Sequence, residues 1–153
     1  MSKENPKIVS FYKINNIVNI LIKIAQNSTV NQRHSAALIK GDEIYNIGFN
    51  KYCSNAKYST IHAEIDALFT FKSSKYAKCM RGMDIIIIRI NNYSSCKLKI
   101  SRPCDKCIDT LRKFHIRKVY YSDEYGNIVY ENLKDMQKKH ISSGNKFKYL
   151  LNN

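Results

Sequence analysis

The segment "MDIIIIRI", residues 83–90, most limits what this chain can become. Its isoleucine run has the unbroken apolar character of a strand covered on both faces, whereas a strand with one wet face alternates. Such a strand needs helices on each side of its sheet, and the neighbouring segments supply them. Residues 11–27, "FYKINNIVNILIKIAQN", set Ile14, Ile17, Val18, Leu21, Ile24 and Ala25 three and four apart, the stripe of a helix packed on one side. "SAALIK" (35–40) and "IYNIGFN" (44–50), joined by "GDE", read as the two strands of a hairpin. The spacing then predicts a helix capped by Ser59 or Thr60, with Ile61, Ile65, Leu68 and Phe69 on its buried face. Pro103 fixes the entry to a further helix from about Cys104 to His115, with Ile108, Leu111 and Phe114 inward. "KVYYS" (118–122) reads as a fourth strand, "DEYGN" as a turn and "IVY" (128–130) as a short fifth strand of open direction. A last helix is expected over about 131–141. The order α-β-β-α-β-α-β-β-α predicts an α/β fold, a three-layer α/β/α sandwich around a central mixed five-stranded sheet. It is expected to be one domain over 1–153, with its core at about 8–141 and a basic tail at 142–153.

Twenty-six Lys and Arg against twelve Asp and Glu leave a net charge of +14, which steers phosphate-bearing partners toward the chain. A second reading is mutational: 20 of the 26 are Lys, and Asn and Ile are also abundant, as an AT-rich coding sequence produces. No apolar run approaches the roughly 20 residues that span a bilayer, and "MSKENPK" is followed by no apolar leader core, so an intracellular, soluble, cytoplasmic protein is expected. Five cysteines, an odd number without a short secreted framework, suit a reducing compartment.

Two short motifs carry chemistry. "HAE" places His62 and Glu64 two residues apart at the front of the second helix, and "PCDKC" places Cys104 and Cys107 in the first turn of the third. C-x-x-C turns two sulfurs toward one point, and a helix N-terminus favours their thiolates. Residues two apart share no helix flank, so His62 and Glu64 converge only on something lying over the helix end. Two thiolates and one imidazole are three ligands for zinc, which takes four, leaving one position for water. Zinc lowers the pKa of bound water from about 15.7 to near 7, and an unliganded Glu64 can carry that water's proton. Each motif alone is weak evidence; H-x-E is usually surface decoration, and P-C-x-x-C also marks redox pairs and structural zinc half-sites.

Together, His62-Ala63-Glu64 and Pro103-Cys104-Asp105-Lys106-Cys107 resemble the signature of the zinc-dependent cytidine and deoxycytidylate deaminase superfamily. The likeness extends more loosely from about Arg33 to Ser122, roughly 90 of 153 residues. It implies zinc on His62, Cys104 and Cys107, proton shuttling by Glu64, and hydrolytic release of ammonia from a cytosine nucleoside or nucleotide. It also implies that the backbone N–H of Cys104 steadies the oxyanion. Substrate contacts are implied for Asn50 (sugar), Tyr121 (base), Ala63, Ser101 and Arg102. Plain structural readings stand beside these: an Asn in a turn, a strand aromatic, solvated arginines. Arg102 replaces the Glu that guanine- and tRNA-adenosine-acting relatives place before Pro-Cys, and "SRPC" is closer to the deoxycytidylate-like branch. Asp66 departs from the Asn common in that branch, and the short fifth strand resembles the free-nucleoside enzymes instead. Arg33, Arg102 and nearby lysines are candidates to neutralise a 5′-phosphate. The resemblance also implies a homo-oligomer, dimer or larger. Two alternatives keep the fold: a deaminase of bases in single-stranded DNA or RNA, drawing on the charge and 11 tyrosines, and a zinc-stabilised nucleic-acid-binding protein without catalysis. Cys53, Cys79 and Cys96 read as ordinary thiols or as part of a second zinc site, and His34, His115 and His140 as non-ligands.

Overall fold

A computed structural model describes residues 5–8, 14–54, 59–75, 77–92 and 95–139. Its centre is β6 (Asp84–Ile90), antiparallel to β2 (Arg33–Lys40) on one edge and parallel to β8 (Lys118–Ser122) on the other. β3 (Glu43–Phe49) pairs antiparallel with β2, and β9 (Ile128–Asn132) with β8, which settles the direction of the fifth strand. These five strands make the mixed sheet that the sequence predicts. Two-residue strands extend it: β1 (Lys7–Ile8) beyond β9, and β7 (Leu98–Lys99) along the end of β6 past the reach of β8. A separate ribbon joins β4 (Lys51–Tyr52) to β5 (Thr60–Ile61).

Strand alternation divides the core. Ala37, Ile39, Ile86, Ile88 and Ile90 face α1 (Asn15–Ala25), meeting Ile14, Ile17, Val18, Leu21 and Ala25. Ala36, Leu38, Ile85, Ile87 and Val119 face α2 (Ala63–Lys72) and α3 (Asp105–Lys113). Ile85 to Ile88 are completely buried, each worth about 1.5–3 kcal/mol of apolar transfer, which explains why both faces had to be apolar. At the other end of β6, buried Asp84 accepts hydrogen bonds from Arg117 (3.0 and 2.8 Å) and from the Lys118 N–H (3.1 Å), tying the starts of the two parallel strands together. None of the described helices is long and apolar enough to cross a membrane.

Three local expectations are corrected. α2 begins later than Ser59 or Thr60, which lead into or join β5, and His62 occupies the N-cap. Its buried face is Ala63, Glu64, Ala67, Leu68 and Phe71, while Phe69 is 47% exposed and Ile61 and Ile65 are half-buried. The cause is Gly48 on β3: a Cβ there would collide with the Ala67 nitrogen and lie 2.7 Å from the Ala63 carbonyl, so the helix turns its small residues to the strand. Gly48→Ala is expected to cost about 1–3 kcal/mol, as overpacking does, read as a lower urea midpoint by circular dichroism. The helix expected over 131–141 does not form among its described residues: 131–132 finish β9, Leu133–Asp135 make one 3-10 turn, and 136–139 are irregular. Residues 140–153, with His140 and the basic tail, lie outside the described residues.

Candidate metal centre and active site

The first helices after β5 and after the 101–103 segment both start at the same place over the sheet. His62 and Cys104 are their N-cap residues, each with extended backbone (φ −72°, ψ 153° and φ −71°, ψ 166°), and Cys107 lies one turn into α3. Ser101 holds this arrangement from below. Its Oγ donates to the Ile87 carbonyl (2.8 Å) and accepts from the Ser122 N–H (2.8 Å), so the chain entering Cys104 is fastened to both β6 and β8.

His62 Nδ1 lies 3.2 Å from Cys107 Sγ and 3.7 Å from Cys104 Sγ, and the three donor atoms all fall within 4.8 Å of one another. Zn–N and Zn–S bonds of about 2.0–2.1 and 2.3 Å at tetrahedral angles need N···S separations of about 3.6 Å and S···S of about 3.8 Å. The residues therefore fit zinc. The sulfur chemistry agrees: the hydrogen bond from Cys107 holds the Cys104 thiol down to about 3, and the same bond, with burial, pushes Cys107 well up. The pair shares one proton, which a cation among the sulfurs would displace. This is the one such cluster among the described residues; Cys53, Cys79 and Cys96 are free thiols outside it.

Glu64 is 4% exposed on the next position but one from His62. Burial raises its pKa above the ordinary carboxyl range, opposed by the nearby imidazole, so its carboxyl holds a proton more readily than a surface Glu. The combination of a three-donor cluster and a buried carboxyl with raised proton affinity beside it suits hydrolysis at a polarised carbon.

The other predicted residues fall around this centre in different ways. Ala63, fully buried, opens α2. Tyr121 is buried, which raises its pKa together with the hydrogen bond its hydroxyl donates to Glu131 Oε2 at 2.7 Å. Arg102 Nε reaches the same oxygen at 3.3 Å while its Nη2 donates to the Gln137 carbonyl at 2.6 Å, so Arg102 is held at the β9 side. Asn50 is buried: its Oδ1 accepts from Ser28 Oγ (2.7 Å) and the His34 N–H (2.9 Å), and its Nδ2 donates to the Gln32 carbonyl (2.6 Å). Asp66 bonds the Phe49 N–H (3.2 Å) and Lys51 (3.0 Å), steadying the strand end next to Asn50. Arg33, paired in register with Ile90, belongs to the α1 side of the sheet, opposite the metal cluster. His115 ends α3 in left-handed conformation (φ 57°), as a helix terminator rather than a ligand. A basic cleft of about 580 Å³, lined by Arg81, Arg112, Arg117 and Lys134, includes none of the metal-cluster residues.

Sequence reasoning read His34 only as a non-ligand and passed over Arg89; the two pair across β2 and β6 on the α2/α3 face. The signal was a single charge inside an apolar strand run.

No curated protein sequence matches the chain. Among solved structures it is similar to a cytidine deaminase from Burkholderia pseudomallei (TM-score 0.56, 19% identity, covering 76% of this chain and 93% of that one). It is also similar to a mutant cytidine deaminase from Mycobacterium tuberculosis (TM-score 0.51, 13% identity, 82% and 98%). A third similar structure is an apo dCMP deaminase from the cyanophage S-TIM5 (TM-score 0.48, 21% identity, 71% and 84%). The first two likenesses support the three-layer fold. The family described as the cytidine and deoxycytidylate deaminase zinc-binding region matches residues 12–123, an interval that contains both motifs and all three metal-cluster residues. On that match, with the cluster geometry, the chain belongs to the cytidine and deoxycytidylate deaminase family.

Proposed function

We propose that the protein hydrolyses the exocyclic amine of a cytosine nucleoside or nucleotide, cytidine, deoxycytidine or dCMP, giving the uracil form and ammonia. The observation that carries this reading is Glu64, a buried carboxyl beside a zinc-fitting cluster that already has its three protein donors. A purely structural site has no use for it, because an uncompensated buried carboxylate costs stability.

His62, Cys104 and Cys107 would hold zinc, which would supply a Lewis acid able to make water acidic enough to react near neutral pH. The Glu64 carboxylate carries the first proton of the attacking water to the ring nitrogen, and then carries the second, from the hydroxyl now on the carbon, to the departing amine. Water's oxygen forms the new C–O bond as the C–N bond breaks and ammonia leaves. Burial suits Glu64 to this, since a raised pKa brings its proton affinity nearer to neutrality. Asn50 and Tyr121 are assigned to sugar and base, Ala63, Ser101 and Arg102 to the wall of the substrate site, and a dimer or larger assembly to the working form.

The test incubates zinc-loaded protein with cytidine, deoxycytidine, their monophosphates, guanine and a mixed-sequence single strand, measuring ammonia. Release from the free cytosine compounds is expected. Reaction of the oligonucleotide alone would replace nucleotide metabolism by polynucleotide editing, and silence across the panel from zinc-replete protein would leave a binding protein.

A further inference from the structure

Arg89 is out of place by the rules that govern its strand. Ile85 to Ile88 and Ile90 are buried apolar residues, and Arg89 interrupts them with a cation whose Nε is buried without a hydrogen-bond partner. Buried polar groups left unmatched are rare, and each asks for a cause. Among the described residues no carboxylate forms an ion pair with it.

Its neighbours deepen the problem. Register places Lys99 of β7 directly across from it on one side and His34 of β2 on the other. Cross-strand partners share a face, and like charges placed so are destabilising, so Arg89 and Lys99 together cost the sheet stability. His34 does not relieve them: its Nδ1 lies 3.0 Å from the Gln32 carbonyl, and burial lowers its pKa to about 4, so the ring is neutral at pH 7. The face is that of Ile85 and Ile87, which carries α2 and α3 and hence the metal cluster. His34, paired with Arg89, is close enough to feel the charges of Arg89, His62 and Cys104. Asn50 is tied to the backbone of His34 itself. Ser101 fastens to Ile87, two residues before Arg89, and leads into Cys104 three residues later.

We propose that Arg89, assisted by Lys99, anchors the phosphate of the substrate, so that the enzyme acts on a cytosine nucleoside monophosphate in preference to the nucleoside. This inference rests on the deaminase reading above. A guanidinium offers a planar fork matched to phosphate oxygens, and an anion held by the outer nitrogens of Arg89 and by Lys99 would relieve their like-charge juxtaposition. Base at the metal cluster, sugar at Asn50 and phosphate at Arg89 would then be arranged around His34.

The experiment compares deoxycytidine with its 5′-monophosphate for the zinc-loaded wild type, Arg89→Gln and Arg89→Lys, and titrates each protein calorimetrically with deoxyuridine monophosphate and with inorganic phosphate. Arg89→Gln is expected to lower kcat/KM for the monophosphate about 10- to 100-fold, mainly through KM, with deoxycytidine changed by less than about twofold and Arg89→Lys intermediate. Calorimetric affinity for the monophosphate should fall in parallel. Equal losses on both substrates, or an unchanged preference, would overturn the anchor while leaving the deaminase reading intact. If no cytosine compound is deaminated yet monophosphate binding still depends on Arg89, the deaminase reading fails and the anchor stands.

Discussion

Glu64→Gln is expected to lower kcat by about 10²- to 10⁴-fold, the range for loss of a positioned general acid–base group, with zinc content unchanged. The substitution keeps the shape and removes the proton carrier. Because burial raises the pKa of Glu64, the charged form is the costly one in the folded chain, and a neutral amide of the same size removes that cost. The variant is therefore also expected to be at least as stable as the wild type by thermal unfolding of the metal-free proteins. Lost activity with retained zinc and undiminished stability identifies a chemical role. Lost activity with lost zinc or lowered stability would show instead that Glu64 is structural.

The second large effect concerns the metal. Cys107→Ala removes one of three donors and one partner of the shared proton, and is expected to abolish tight zinc binding together with deamination. The loss should exceed the roughly 10- to 100-fold that changes to outer-shell partners cost. Zinc at about 1,000 times its dissociation constant stabilises a folded site by about 4 kcal/mol. For a chain of this size that corresponds to on the order of 10 °C in Tm. A chelator should therefore lower the Tm of the wild type by about that amount and leave Cys107→Ala nearly unmoved, with zinc measured by elemental analysis. Retention of one zinc per chain by Cys107→Ala would place the metal elsewhere.

The central strand, its two helical coverings and the metal cluster were legible because each rests on a local regularity: an apolar run, a three-four spacing, two motifs opening helices. What escaped depends on contacts between distant segments. The face of α2 follows from Gly48, whose missing side chain admits Ala63 and Ala67, and no periodicity within the helix reveals that partner. After β9, where a helix was expected, Leu133 and Met136 are both buried, three residues apart. Instead, Arg112 of α3 donates to the carbonyls of Leu133 (3.1 Å) and Met136 (2.5 Å), holding the chain in an irregular path across the helix. Arg89 was visible as a lone charge within "IIIIRI", but its meaning appears only when register sets Lys99 and His34 beside it.

The N-caps of α2 and α3 have a further consequence. His62 and Cys104 stand where serine or aspartate would start a helix unaided, and neither makes a side-chain capping bond. Each helix thus begins without the local support that lets a peptide fragment nucleate alone. During synthesis, Cys107 leaves the ribosome 45 residues behind His62, after the strands of the central sheet up to β7 have emerged. The reaction centre is a clasp that closes late: a nascent chain halted before residue 107 has β2, β3 and β6 with α1 and α2 to pack on them, but not the donor that completes the cluster.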